Sequence, residues 1–203
     1  MKSDYPLEIV LASASRSRAA LLANAGIDVL IEAAHIDESL VKNNALRTQS
    51  SVDTVAALLA CKKAKKISKN HPDALVIGAD QMLDCDGKWL DKPDSLVSAG
   101  DTLRLLRGRE HKLITSVSVV HQGKEIWAFT DRADLLMRDF SDNFLNAYLS
   151  SVGNDVMLSV GAYQLEGIGA QLFERVDGDY FTILGLPIIP LLAFLREKKV
   201  IDQ

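Results

Sequence analysis

Residues 74–79 form an uninterrupted apolar run of strand length that stops on a carboxylate, Asp80. Runs of this kind belong to strands covered on both faces, where no alternation with polar residues is needed. A strand buried on both sides requires helices above and below its sheet, so this run restricts the chain to layered α/β architectures. In open sheets of that class, ligands bind beyond the carboxyl ends of the strands, where Asp80 is expected to lie.

The rest of the chain supplies matching elements. Residues 8–12 read as a short buried strand, followed by a serine-rich turn and a helix over about residues 17–25 that Gly26 closes. A helix over residues 53–70 carries Ala56, Leu59, Ala60 and Ile67 on one face. Lys63 lies on that same stripe, whereas Lys62, Lys65, Lys66 and Lys69 group on the solvated side. Asp86-Gly87 predicts a hairpin between residues 81–85 and 88–90. A helix over 98–107 is broken by Gly108, and strands over 112–120 and 125–138 flank a second hairpin at Gln122-Gly123-Lys124. Ser141 and Asp142 cap a helix to about residue 151, and a last helix opens near Pro187. This order predicts a mixed α/β sheet with flanking helices.

With 203 residues and 48% hydrophobic content, the chain is large enough to bury about 70% of its unfolded surface in a self-sufficient core. One body, or one body with a smaller lobe, fits that length. Net charge of −4 argues against a broad nucleic-acid surface, so an anionic ligand must be met locally. Cys61 and Cys85 have neither C-x-x-C spacing nor a Cys/His cluster, which fits reduced thiols in a cytoplasmic protein rather than a zinc site. Residues 1–10 lack the apolar core of a signal peptide. The apolar stretch 184–195 is interrupted by Gly185, Pro187 and Pro190 and is shorter than the ~20 residues of a membrane span.

Five places in the chain could carry chemistry. At residues 11–18, a strand runs through Ser13 and Ser15 into a helix bearing Arg16 and Arg18. Small residues and arginine at a helix amino terminus suit a phosphate, and they equally suit a plain serine cap with solvated arginines. Asp80, after Gly78-Ala79, is placed to hold a divalent metal or activate water, or to cap a turn. Lys63 on its apolar stripe either snorkels to the edge or meets an anion. Lys92 before Pro93 is ambiguous in the same way. Residues 161–169 are glycine-rich without the order of a P-loop. Glu166 within them could accept hydrogen bonds from a base edge, and the segment could equally be a tight loop between layers.

Taken in order, these segments resemble the Maf family of nucleotide pyrophosphatases from Leu11 to about Leu195. The family's L-A-S-x-S-P-R-R opening is matched by Ser13, Ser15 and Arg18, its early acidic pair by Asp37-Glu38, and its helix lysine by Lys63-Ala64. Gly78-Ala79-Asp80, Lys92-Pro93, the stretch from Arg107 through His111 to Thr115, Gly161-Ala162-Tyr163 and Gly185-Leu186-Pro187 follow in register. The resemblance implies a Maf/ITPase-like α/β fold, a mixed twisted sheet with flanking helices and a nucleotide cleft, in one domain or two lobes around that cleft. It also implies hydrolysis of a nucleoside triphosphate between the α and β phosphates, with a divalent metal, Mg²⁺ or Mn²⁺. By the same carry-over, Asp80 is the proton acceptor and, with Glu38, holds the metal, while Ser13, Arg18, Lys63 and Lys92 contact the phosphates and Ser15, Gln81 and Glu166 are counted among the substrate-binding residues.

The chain departs from the family pattern at four positions. Arg16-Ser17 stands where Pro-Arg is common, and Gln81 and Glu166 stand where the pyrimidine-nucleotide branch has Thr and Gln. Gln81 and Glu166 instead look like the branch that acts on methylated guanosine triphosphate, whereas Ser17 supports neither branch. The resemblance also brings a second reading, a nucleotide-sensing regulator of cell division that needs no turnover. Neither reading involves nucleic acid or a membrane, and both allow a homodimer.

Overall fold

A computed structural model describes residues 7–202. Residues 1–6, part of the segment read as lacking a signal-peptide core, lie outside the described residues. No helix among those described is long and apolar enough to cross a membrane.

The strands are β1 (Ile9–Leu11), β2 (Leu30–Ile31), β3 (Leu75–Cys85), β4 (Lys88–Leu90), β5 (Glu110–His121), β6 (Lys124–Met137) and β7 (Phe173–Asp177). The helices are α1 (Arg16–Asn24), α2 (Glu38–Arg47), α3 (Val52–Ser68), α4 (Leu96–Leu106), α5 (Asp142–Val152), α6 (Tyr180–Ile183) and α7 (Ile188–Glu197). One seven-stranded sheet runs in the order β2-β1-β3-β5-β6-β7, with β4 paired to β3. It is mixed: β1 is parallel to β2 and β3, while β4 is antiparallel to β3 and β7 to β6.

The chain divides into two compact units. The first takes in the described residues up to Asp80, Thr115–Asp131 and those from Gly185 onward; the second is Gln81–Ile114 with Arg132–Leu184. In the first, Val10, Ala12, Ala64, Ile67, Val76 and Val120 share one buried cluster. In the second, Leu83, Leu103, Leu113, Leu135, Tyr148 and Tyr163 belong to a larger one.

The apolar run behaves as its composition requires: Leu75, Val76, Ile77 and Ala79 are all buried. Asp80 does not end the strand, however. β3 continues to Cys85, because the turn at Asp86-Gly87 folds β4 back onto it with Leu83 opposite Leu90 and Cys85 opposite Lys88. Asp86 and Gly87 have φ of 53° and 80°, the left-handed pair that a two-residue hairpin demands.

The predicted helices and hairpins are present with boundary shifts of one or two residues, since capping side chains set the ends. Ser51, Ser95 and Ser141 accept from backbone N–H groups at the starts of α3, α4 and α5. Two elements carry little periodic signal. Helix α2 buries only Val41 and Ala45, and β7 is almost wholly exposed and exists through its ladder with β6.

The second unit also contains a buried polar pair that titrates. His111 on β5 is 2% exposed, and its Nε2 lies 2.8 Å from the Tyr163 hydroxyl. Burial pushes the imidazole down to about 4, only partly offset by the Arg109 backbone. Unfolded histidine takes up a proton below about pH 6.5. The folded protein resists that proton until about pH 4, so stability is present above pH 6.5 and declines as pH falls through this window. By pH 5 the loss is about 2 kcal/mol, at roughly 1.4 kcal/mol per pH unit. Urea unfolding at pH 7 and pH 5 should show this loss in the parent and little of it in His111→Gln; equal losses would remove His111 as the cause.

Candidate active site

Within the first unit, three elements deliver charged side chains to one point. The route begins at α2, whose amino terminus divides the acidic pair by function. Asp37 caps the helix, its Oδ1 accepting from the Leu40 N–H at 3.0 Å and from the Ser39 hydroxyl at 2.7 Å. Glu38, the next residue, is therefore turned away from capping. Its Oε1 lies 2.7 Å from Lys63 Nζ.

Lys63 comes from α3, whose buried stripe includes Ala56, Leu59, Ala60, Ala64 and Ile67. Its position beside that stripe explains why the side chain is only 14% exposed. An ammonium so confined needs anions, and it has two: its Nζ lies 2.6 Å from Asp80 Oδ1 as well as against Glu38. Lys62, Lys65, Lys66 and Lys69 are exposed.

Asp80 is 4% exposed, on the central strand β3. Burial raises its carboxyl above the usual range and the Glu38 charge adds to this, while Lys63 and Arg18 act in the opposite sense. Glu38 is pushed the other way. Burial works against its charge, but Lys63, with Lys42 and Arg18 behind it, outweighs burial and holds it below the usual carboxylate range. Two carboxylates whose proton affinities are driven apart are suited to different tasks: Asp80 to accept a proton, Glu38 to stay charged.

The close approach of strand and helix depends on Gly78. A Cβ built there would lie 2.2 Å from the Ala60 carbonyl oxygen and 2.7 Å from the Ala64 nitrogen, both backbone atoms of α3 on either side of Lys63. In the sequence Gly78 stands out only as part of the Gly78-Ala79-Asp80 motif. An isolated glycine inside an apolar strand is itself a signal of close backbone approach.

Between β1 and α1, Ser13 and Ser15 shape the turn. Ser13 Oγ accepts from the Ser15 N–H at 3.2 Å, and Ser15, the N-cap of α1, accepts from the Arg18 N–H at 3.5 Å. Arg18 is buried, donating to Ser13 Oγ, the Ala79 carbonyl and the Gly185 carbonyl. Ala79 and Gly185 thus enter the site through backbone atoms, a role that residue type does not advertise.

The remaining expected residues belong to the second unit. Gln81 is half-buried, its amide nitrogen donating to the carbonyls of Thr182 and Ile183, both at 3.0 Å. Lys92 is exposed in the segment between β4 and α4, and Glu166 is exposed between two 3₁₀ turns. The 161–169 segment is a tight turn: Gly161 has φ of 80°, and a Cβ there would meet the Tyr163 ring at 2.4 Å.

Among the described residues, no three His, Cys, Asp or Glu side chains gather as a metal cluster. Glu38 and Asp80 nevertheless converge on one point, marked by the ammonium they share. Two hard carboxylates, with phosphate oxygens and water completing the shell, are the donor set from which Mg²⁺ sites on nucleotides are commonly built.

The chain is similar to known proteins over nearly its whole length. The chain is 50% identical over 189 residues to a nucleoside triphosphate pyrophosphatase of Paramagnetospirillum magneticum, covering 93% of this chain and 97% of that one. It is 45% identical to a protein of the same name from Nitrobacter hamburgensis, covering 97% and 96%. A 7-methyl-GTP pyrophosphatase of Rhizobium etli is 43% identical, with 96% and 98% covered. The model of the family described as Maf-like protein matches residues 8–198, and this chain belongs to that family.

Proposed function

We propose that this protein hydrolyses a nucleoside triphosphate to the monophosphate and pyrophosphate, with Asp80 as proton acceptor. The observation that carries the reading is the Glu38–Lys63–Asp80 arrangement, in which a buried, proton-avid carboxylate stands beside a held ammonium and a second, charged carboxylate. The names of the relatives supply the reaction; the site supplies groups able to perform it.

In this reading Asp80 orients a water molecule and takes its proton as the water oxygen bonds to the α phosphorus. The bond from that phosphorus to the α,β-bridging oxygen breaks, and pyrophosphate departs with the electron pair. Lys63 has three N–H donors, two of them directed to the carboxylates, and its charge offsets that of the polyphosphate. Ser13, Ser15 and Lys92 are assigned to the phosphates. A divalent cation held by Glu38 and Asp80, Mg²⁺ or Mn²⁺, would supply further neutralisation of the polyphosphate charge.

For the base, the reading favours guanine carrying a methyl group. The Glu166 carboxylate could accept from the N–H donors of a guanine edge, and a relative at 43% identity is named for 7-methyl-GTP. Such a role, the removal of non-canonical nucleotides, fits a cytoplasmic enzyme.

Pyrophosphate release, measured with Mg²⁺ or Mn²⁺ across the common and methylated nucleoside triphosphates, tests the reaction and the base together. Release is expected, greatest on the methylated guanosine form, and lost when EDTA removes the metal. Silence across the whole panel would sink the enzyme reading. Activity undiminished by EDTA would sink the metal assignment.

A further inference from the structure

Arginine beside a triphosphate site invites assignment to the phosphates, but the bonds made by Arg18 point elsewhere. The side chain is 9% exposed, and its Nε donates to the Gly185 carbonyl at 2.7 Å. One terminal nitrogen, Nη1, donates both to the Ala79 carbonyl at 2.9 Å and to Ser13 Oγ at 3.1 Å. Three of the five N–H groups of the guanidinium are thus engaged with uncharged protein acceptors.

Each acceptor belongs to a different segment. Ser13 lies in the turn before α1, Ala79 immediately precedes Asp80, and Gly185 opens the approach to α7. Turning those three N–H groups toward a phosphate would strand two backbone carbonyls, at about 1–3 kcal/mol for each left buried and unpaired. A planar fork with divergent donors can join three segments at once; a lysine cannot reproduce that geometry.

We propose that Arg18 is a positioning residue: its guanidinium sets the Ser13 turn, the backbone at Asp80 and the Gly185 turn in mutual register, and it is not a primary ligand of the phosphates. The proposal rests on Asp80 being the proton acceptor. Its action on turnover passes through the placement of that carboxylate, because the braced Ala79 carbonyl is part of the peptide unit that leads into Asp80.

Arg18→Lys separates positioning from phosphate binding, since it keeps the charge and removes the fork. With a hydrolysable nucleoside triphosphate, kcat should fall about 10²-fold, the usual scale for a displacement of about 1 Å at a reacting group, with KM changed less than about threefold. Calorimetry with inorganic tripolyphosphate should give nearly the parent affinity. Independently of turnover, hydrogen exchange of backbone amides should accelerate in the peptides covering residues 12–16, 78–82 and 184–187, while α3 keeps its protection. A KM and a tripolyphosphate Kd that both rise tenfold or more, with exchange unchanged, would overturn the proposal and make Arg18 a phosphate ligand. A parent protein that releases no pyrophosphate would overturn the enzyme reading instead, and the exchange and tripolyphosphate experiments would still decide the brace.

Discussion

Asp80→Asn is expected to lower kcat about 10³-fold, in the middle of the range for loss of a general base, while the protein unfolds at or above the parent temperature. The two side chains have nearly the same shape, so the packing around a residue only 4% exposed is preserved. An amide cannot take the proton of the attacking water. Stability should hold because burial already disfavours the Asp80 charge, so a neutral group removes a desolvation cost. Lys63 keeps Glu38 as a partner, 2.7 Å away, and is not left as an isolated buried charge. Pyrophosphate release and thermal unfolding of the one variant read both effects. Turnover above a tenth of the parent value would remove Asp80 from proton transfer, and a normal cellular phenotype in that variant would favour the nucleotide-sensing reading.

Gly78→Ala should act on stability and turnover together. A methyl group there meets the Ala60 carbonyl oxygen at 2.2 Å, the Ala64 nitrogen at 2.7 Å and Ala64 Cβ at 2.9 Å. None of these is the far end of a flexible side chain, so relief requires β3 and α3 to separate. Inserting a carbon into a well-packed interior typically costs 1–3 kcal/mol; a clash with helix backbone belongs at or above the upper end, about 3 kcal/mol. The same displacement carries Lys63 away from Asp80, because Ala60 and Ala64 bracket it on α3. Urea unfolding should show the loss of stability, and folded Gly78→Ala protein should turn over at least tenfold more slowly. A parent-like midpoint would mean that the contact yields elsewhere.

The two substitutions separate chemical identity from spatial register. Asp80→Asn changes a functional group in an unchanged frame, and Gly78→Ala changes the frame around an unchanged group. Arg18→Lys lies between them, since it alters a frame element that itself carries charge. The three substituted residues lie in the first unit, Arg18 on α1 and Gly78 and Asp80 on β3.

Much of the fold was legible because its elements obey local rules. The 74–79 run is buried as a doubly covered strand must be, and the Asp86-Gly87 and Gln122-Gly123 turns adopt the left-handed conformations that their residues permit. β3 does not end at Asp80. A carboxylate after an apolar run looks like a boundary, but pairing with β4 continues the ladder past it. Helix α2 and strand β7 escaped notice because both are mostly exposed, and the hydrophobic pattern that reveals an element is written by what it buries.

The site divides along the same line. Residue order alone was enough to nominate Asp80 and Lys63, since an acid at the end of an apolar run and a lysine on an apolar helix stripe are each unusual where they stand; Glu38 entered only through the family resemblance of the Asp37-Glu38 pair. What order could not supply was their convergence: that Asp37 would be spent on a cap and leave Glu38 to face Lys63, or that one ammonium would lie 2.6 Å and 2.7 Å from two carboxylates distant in the chain. Nor could it assign Arg18 to backbone carbonyls, because every residue offers the same C=O and only the fold selects which ones meet. Side-chain chemistry is a property of the residue and survives in the sequence. Proton affinity, pairing and burial depend on distances between segments, and those came into being only when the chain folded.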